Sequence, residues 1–369
     1  MKAAAHHVES LDVFRGSTIF AMIVVNNPGD WNAVYPPLVH AYWHGCTFAD
    51  VLFPWFIFIM GFAMPFAFAR RRDRGHARAQ LYRRIAQRAA LLVALGLVLN
   101  AAAAWPAVAP LRLPGVLQRL ALCYLLTAPV VLQFEPGVWA GAAGGALVAH
   151  WALLALVPFG GYPAGTIGPE HNLAGHLDAM VIGRHAMTTP IDPEGLLGTL
   201  PAAATALAGA LAGAFFRASS SASSRLRQLM AGGVIALTLG LAWSRVLPLN
   251  KHLWTGSFVL VTAGLALVAI AAIYLVVDVG SLRAWSRPFV WLGVNPLAIY
   301  CASELAGHLL DGVWLHRTTP KAWLFWNVLQ PATGFRYAEW TSLAFAIAYA
   351  SFWTGVGGVL YERGIRIQV

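Results

Sequence analysis

Apolar runs close to 20 residues long recur from one end of this chain to the other, and that pattern decides its class of fold. A helix of about 20 apolar residues crosses the hydrocarbon core of a bilayer, and in lipid only helices or closed barrels satisfy their own backbone. Strand-like alternation is absent, so the spans read as helices. Ten are legible, at roughly 10–28, 46–69, 85–105, 115–133, 137–157, 194–216, 229–247, 254–277, 288–308 and 340–360. The expectation is an all-α polytopic membrane protein, with residues 1–369 forming a single transmembrane domain. Composition agrees: only 11% of residues are charged, against about 25% in soluble domains. The opening MKAAAHHVES lacks a signal-peptide order, so the first span is expected to be retained.

A net charge of +10 could suggest a nucleic-acid partner, but the arginines are placed for a membrane. Counted by alternate loops, 16 of the 25 basic residues fall on one side, including the cluster Arg70 to Arg88. The positive-inside rule then puts both termini in the cytoplasm. The loops at 28–45, 158–193 and 309–339 face outside; they are longer and richer in Trp, Pro, His and Gly. Within the last, WLFWNVLQP (Trp323–Pro331) has the look of an interfacial or re-entrant piece. Cys46, Cys123 and Cys301 stand far apart in apolar surroundings and form neither a disulfide framework nor a metal motif. Gly141-x-x-x-Gly145 and Gly209-x-x-x-Gly213 suit close helix packing.

Polar groups within spans are costly in hydrocarbon, and so point to function. Asp12 and Arg15 are three apart and can pair on one helix face; Asn26 and Asn27 close the first span. The stretch VHAYWHGCTFADVLFPWFIFIMG (Val39–Gly61) then sets His40 and His44 before a long apolar run that holds Asp50. Two histidines four apart could ligate a metal, yet no third ligand follows and none is expected. Interfacial anchoring and acid/base work remain. An imidazole can take a proton from a nucleophile, and an aspartate bonded to it fixes the tautomer and raises basicity. A His40–Asp50 pair therefore explains why a carboxylate enters the membrane here.

Four further stretches add polar groups. RLPGVLQRL supplies Arg112 and Arg119, which serve either as anchors or as binders of carboxylate or phosphate. DPEGLLGT supplies Glu194, and LNKHLWTGSF supplies Lys251. WLGVNPLAIYCASEL carries Asn295 and Glu304. Polar groups from five or more spans point to a lined cavity in the external half of the membrane.

SLDVFRG, VVNNPGDW, HAYWHGCTFADVLFPWFIFIMG, RLPGVLQRL, DPEGLLGT and LPLNKHLWTGSFVL, in this order, resemble the heparan-α-glucosaminide N-acetyltransferase family. The resemblance implies a bacterial, NagX-like member, and runs from about Ser10 to Glu362. The resemblance implies an acyltransferase domain in a bacterial inner membrane. Acetyl-CoA would be the donor and no metal would take part. The acceptor would be the amino group of glucosamine or a related amino sugar; no luminal domain precedes the first shared span, which favours such a small acceptor over heparan sulfate. The family pattern His-x-x-Trp-x-Gly-x-x-x-x-Asp falls on His40, Trp43, Gly45 and Asp50, and the family asparagine on Asn26. His40 would be base or acetyl carrier, Asp50 its support and Asn26 a donor to the oxyanion. Arg112, Arg119, Glu194, Lys251, Trp43 and Asn295 would bind donor or acceptor. His44 stands where the animal enzyme has Asn. O-acetylation of a periplasmic or lipid-linked glycan would use the same pair, and an amino-sugar permease would also suit a polar cavity among helices. The lipid bilayer is an expected partner, nucleic acid is not, and a homodimer stays open.

Overall fold

The computed structural model describes residues 8–75, 77–105, 110–186, 191–312, 318–334 and 336–367. Lys2 and Arg317, which entered the charge census above, lie outside them. The chain forms two compact units: Met1–Val39 with Ala269–Val369, and His40–Val268.

The second unit holds α2 (Phe48–Asp73), α3 (Arg78–Ala104), α4 (Val116–Gln133), α5 (Pro136–Leu156), the short α6 (Leu173–Val181), α7 (Leu196–Ala218) and α8 (Ala222–Trp243). The unit boundary falls within α9 (Gly256–Tyr274). α2 and α7 are the central pair, with α4 against both. Gly209 and Gly213 make the close approach possible: a Cβ on either would sit 2.1–2.2 Å from the carbonyls of Phe58 and Phe62. Phe62 packs edge-on against Phe216 beside this contact. The second small-residue motif behaves differently. Gly141 and Gly145 face open space, so the identical spacing on α5 makes no close packing among the described residues.

The first unit is built from α1 (Glu9–Asn26), α10 (Arg287–Val294), α11 (Pro296–Gly312) and α14 (Ala338–Glu362). The expected Asp12–Arg15 pair is present at 2.9 Å, and Arg15 also donates to the Gly293 carbonyl at 3.0 Å. The span expected at 288–308 is broken at Asn295, where α10 and α11 meet at 87°. The stretch Trp323–Pro331 is helical, passing from α12 (Pro320–Leu324) through a π-helical turn into α13 (Gln330–Ala332).

Eight described helices are long and apolar enough to cross a membrane, nine if the bent pair counts as one span. The remaining span of the sequence reading is α1, whose Glu9, Asp12 and Arg15 keep it out of that apolar class. The protein is an all-helical polytopic membrane protein.

Candidate active site

The site grows from the start of α2. Thr47 is the N-cap and Asp50 the third helical residue, whose Oδ2 accepts from the Thr47 N–H at 3.0 Å. The same oxygen accepts from the Thr47 hydroxyl and from the Ala41 N–H, both at 3.0 Å. A carboxylate in the first helical turn is favoured by the N-terminal partial positive charge. The other oxygen, Oδ1, lies 2.8 Å from His40 Nδ1. Asp50 thus caps a helix with one oxygen and holds an imidazole with the other. An ionised carboxylate only accepts, so Nδ1 carries the proton and Nε2 presents a lone pair. The Asp50 side chain is 1% exposed and that of His40 46%, so the support is buried and the working nitrogen is reachable.

A second loop closes over this one. Gly45, at φ +125°, donates its N–H to the Leu249 carbonyl at 2.8 Å, a turn that only glycine enters without strain. Asn250 then shapes the following residues: its N–H donates to Thr255 Oγ1, and its Oδ1 accepts from the Leu253 N–H at 2.8 Å. Its Nδ2 lies 3.4 Å from His44 Nδ1. The result brings Lys251 Nζ beside the His40 ring, 3.1 Å from Nδ1 and 3.2 Å from Nε2, and 3.7 Å from Asp50 Oδ1. Burial lowers the pKa of Lys251, against the opposing pull of Asp50 and Glu194. Burial, and then the Lys251 charge, also lowers that of His252. His44 is lowered by burial. Trp254, at φ +54°, occupies a left-handed conformation costly for a bulky side chain, of order 1–3 kcal/mol. It is held there by Thr205, which accepts from its indole N–H at 3.2 Å.

The arginines are engaged internally. Arg112 grips both oxygens of Asp192, at 2.9 and 2.6 Å, and reaches Glu194 at 2.5 Å. Burial works against its guanidinium, but the two carboxylates outweigh this and hold its pKa above the ordinary value. Arg119 is fully buried, donates to the carbonyls of Pro193 and Gly195 at 2.8 and 2.7 Å, and lies over the Trp254 ring. Together they fasten the chain leading into α7. Asp178 completes that fastening from α6, accepting from the Leu196 N–H at 2.9 Å; burial raises its pKa to about 6.

Of the residues singled out in the sequence, His40, Asp50 and Lys251 come together directly. Trp43 is buried behind them, stacked on His252 with ring centroids 5.4 Å apart, and donates to the Ile167 carbonyl. Arg112 is paired with Asp192 and Glu194, and Arg119 donates to backbone carbonyls while its charge stays buried. Asn26 belongs to the other unit, where it donates to Glu304 at 3.0 Å. Asn295, in the same unit, donates to the Ile365 carbonyl and accepts from the Ile367 N–H, which engages both ends of its amide. Thr47, Asn250 and His252 were not singled out. Thr47 had a readable signal, since Thr-x-x-acid before an apolar run marks a helix start. Among the described residues no three His, Cys, Asp or Glu side chains are grouped to hold a metal ion.

Comparison with known proteins identifies the family. Residues 7–243 match the family model described as heparan-alpha-glucosaminide N-acetyltransferase, catalytic. The human protein named heparan-alpha-glucosaminide N-acetyltransferase is 28% identical over 375 residues, covering 85% of this chain and 55% of that protein. The mouse protein of the same name is 26% identical over 374 residues, covering 85% and 56%. This chain therefore spans about half the length of these relatives. The family match covers well over half of the chain and includes His40 and Asp50, and on that ground the chain belongs to the heparan-alpha-glucosaminide N-acetyltransferase catalytic family.

Proposed function

We propose that the protein is a membrane acetyltransferase that moves acetyl from acetyl-CoA to the amino group of glucosamine or a related amino sugar. The observation that carries this reading is the His40–Asp50 pair, with Nδ1 tied at 2.8 Å to a buried carboxylate and the imidazole side chain half-exposed. As a neutral amine attacks the thioester carbonyl, its nitrogen bonds to the acyl carbon and its proton passes to His40 Nε2. The C–S bond then breaks and the thiolate of CoA leaves, to be protonated in turn. Asp50 keeps the ring oriented and offsets the imidazolium charge that forms. Lys251 Nζ lies beside the His40 ring, 3.1 Å from Nδ1 and 3.2 Å from Nε2, so it has to turn aside before the amine can approach Nε2. The developing oxyanion or the departing thiolate offers the negative charge that would draw it away. Asn26 is the proposed donor to the oxyanion, a role resting on the family pattern. Trp43, Arg112, Arg119 and Glu194 support the pocket from behind.

The whole of residues 1–369 is proposed as one acyltransferase domain in a bacterial inner membrane. Both termini would be cytoplasmic and the His40 loop periplasmic. A cysteine at position 32 should label from outside and one at position 220 should not. The reaction itself is tested with purified protein, labelled acetyl-CoA and a panel of amino sugars. Label transferred to the amino group, and lost in His40→Ala, is the expected result. Label found on a hydroxyl would instead assign O-acetylation, and sugar uptake without acetyl-CoA would assign transport.

A further inference from the structure

α8 packs closely against α9 and leaves a gap toward α7. A Cβ on Gly233, Gly240 or Gly264 would lie 2.7–2.8 Å from a side chain of the facing helix, so small residues seal that contact. On the other side, α7 and α8 flank an apolar cavity of about 490 Å³, entirely within the unit His40–Val268. Ala208, Ala212, Ala231 and Gly232 leave the space. Phe215, which lines it, is exposed, and so are Met230, Val234 and Ile235 beside it on α8, so the cavity opens toward hydrocarbon. Arg225 stands at one end, about 10 Å along α8 from Gly232. Its Nε donates to the Phe216 carbonyl at 3.2 Å, and its guanidinium lies 4.9 Å from the centre of the Phe216 ring. That fixes the stem and leaves both Nη groups without a partner among the described residues.

The surroundings decide what fills such a groove. A void forfeits dispersion contacts, so an acyl chain enters it. Tails elsewhere in a bilayer are equally apolar, so the chain by itself confers no preference and the headgroup decides. A guanidinium fork matches a phosphate, and a basic residue at the membrane surface attracts anionic lipid by about 1 kcal/mol. A second copy of this chain fits less well. Arg217, Arg225 and Arg227 crowd the same end of α7 and α8, and a two-fold contact there would set them against their own counterparts.

We propose that the groove between α7 and α8 binds an anionic phospholipid, with one acyl chain in the cavity and the phosphate on Arg225. The full chain, purified in detergent, is titrated with palmitoyl-oleoyl phosphatidylglycerol or with the phosphatidylcholine of the same chains, and bound lipid is counted by native mass spectrometry. Phosphatidylglycerol should bind saturably and about tenfold more tightly than phosphatidylcholine, as expected for one charge-assisted bond. Arg225→Gln should remove that preference. Gly232→Leu fills the groove and should abolish binding of both lipids. A Cβ at Gly232 meets Leu267 at 3.5 Å, an ordinary contact, so the fold has room for it. If that variant fails to fold, Ala212→Leu fills the groove from α7 with the same expected loss. Two controls should bind as the unaltered protein does. Arg227→Gln removes the same charge from the opposite side of α8, and Gly141→Leu adds the same side chain where α5 faces open space. Equal retention of the two lipids, or a loss in either control as large as in the groove variants, overturns the proposal. A dimeric mass that Gly232→Leu reduces to a single chain would give the groove to a second copy, and overturns it as well.

Discussion

Lys251 Nζ stands 3.2 Å from Nε2 of His40, the one ring nitrogen that Asp50 leaves free. The ammonium is also 3.1 Å from Nδ1, so lysine, imidazole and carboxylate form one small cluster. This has consequences for both residues.

Removing the Asp50 charge should disable the imidazole without unfolding the helix, because Asn can still accept at the α2 N-terminus. Asp50→Asn is expected to lower kcat/KM by about 10²–10⁴, the range of general-base assistance. The variant His40→Ala/Asp50→Asn should be little worse than the worse single variant, since the two residues act as one unit. Steady-state transfer of labelled acetyl measures this. Independent, multiplying losses would show that Asp50 serves the fold alone.

Lys251→Gln keeps most of the side-chain volume and removes the cation. Transfer should fall about tenfold, the scale of one charge-assisted hydrogen bond. The same change has a spectroscopic signature: His252, depressed by burial and then by the Lys251 charge, should titrate at higher pH. NMR of labelled histidine reads this directly. A stationary His252 would place the ammonium elsewhere in the working protein.

The third expectation concerns Asp178. Burial raises its pKa from 3.8 to about 6, with Asp192 adding to the rise. A carboxyl raised in the fold holds its proton more tightly there than in the unfolded chain. Its contribution to stability is therefore fullest below about pH 4 and is lost as pH rises through about 6. Asp178→Asn keeps an acceptor for the Leu196 N–H and removes the titration. The variant should be more stable than the parent at pH 7, by on the order of 2 kcal/mol, and equal to it at pH 4. Thermal melts in detergent at both pH values decide; an unchanged pH dependence would clear Asp178 of responsibility.

Arg112→Ala should act on stability rather than on substrate binding. It strands Asp192, which is fully buried, and Glu194, and breaking one partner from such a pair costs about 3–5 kcal/mol. A large fall in Tm is expected, with Arg112→Lys intermediate because it cannot form the bidentate grip. A folded Ala variant with unchanged Tm and a raised KM for donor or acceptor would restore the anion-binding role that the sequence suggested.

The membrane class, the helical fold and the His40–Asp50 pair were all legible in the linear chain, and for one reason: each is a local property. Hydrophobic run length is set by adjacent residues. Asp50 follows His40 by ten positions across a turn into a helix, so the range of geometries is small. Lys251 joins them from 211 residues away, and Arg112 meets Asp192 across 80; such distances carry no periodic signal. Residue type could not separate Gly209 from Gly141, or a binding asparagine from Asn295, because both members of each comparison obey the same local rules. Which glycine another helix approaches, and whether an amide faces a cavity or the chain's own backbone, depends on which elements pack together. Sequence by itself thus determined that the chain spans a membrane as helices and sets an imidazole on a buried carboxylate. Only the tertiary structure decided that a lysine shares that imidazole and that the arginines are bound within the fold, since desolvated charges take whichever partner the packing brings within reach.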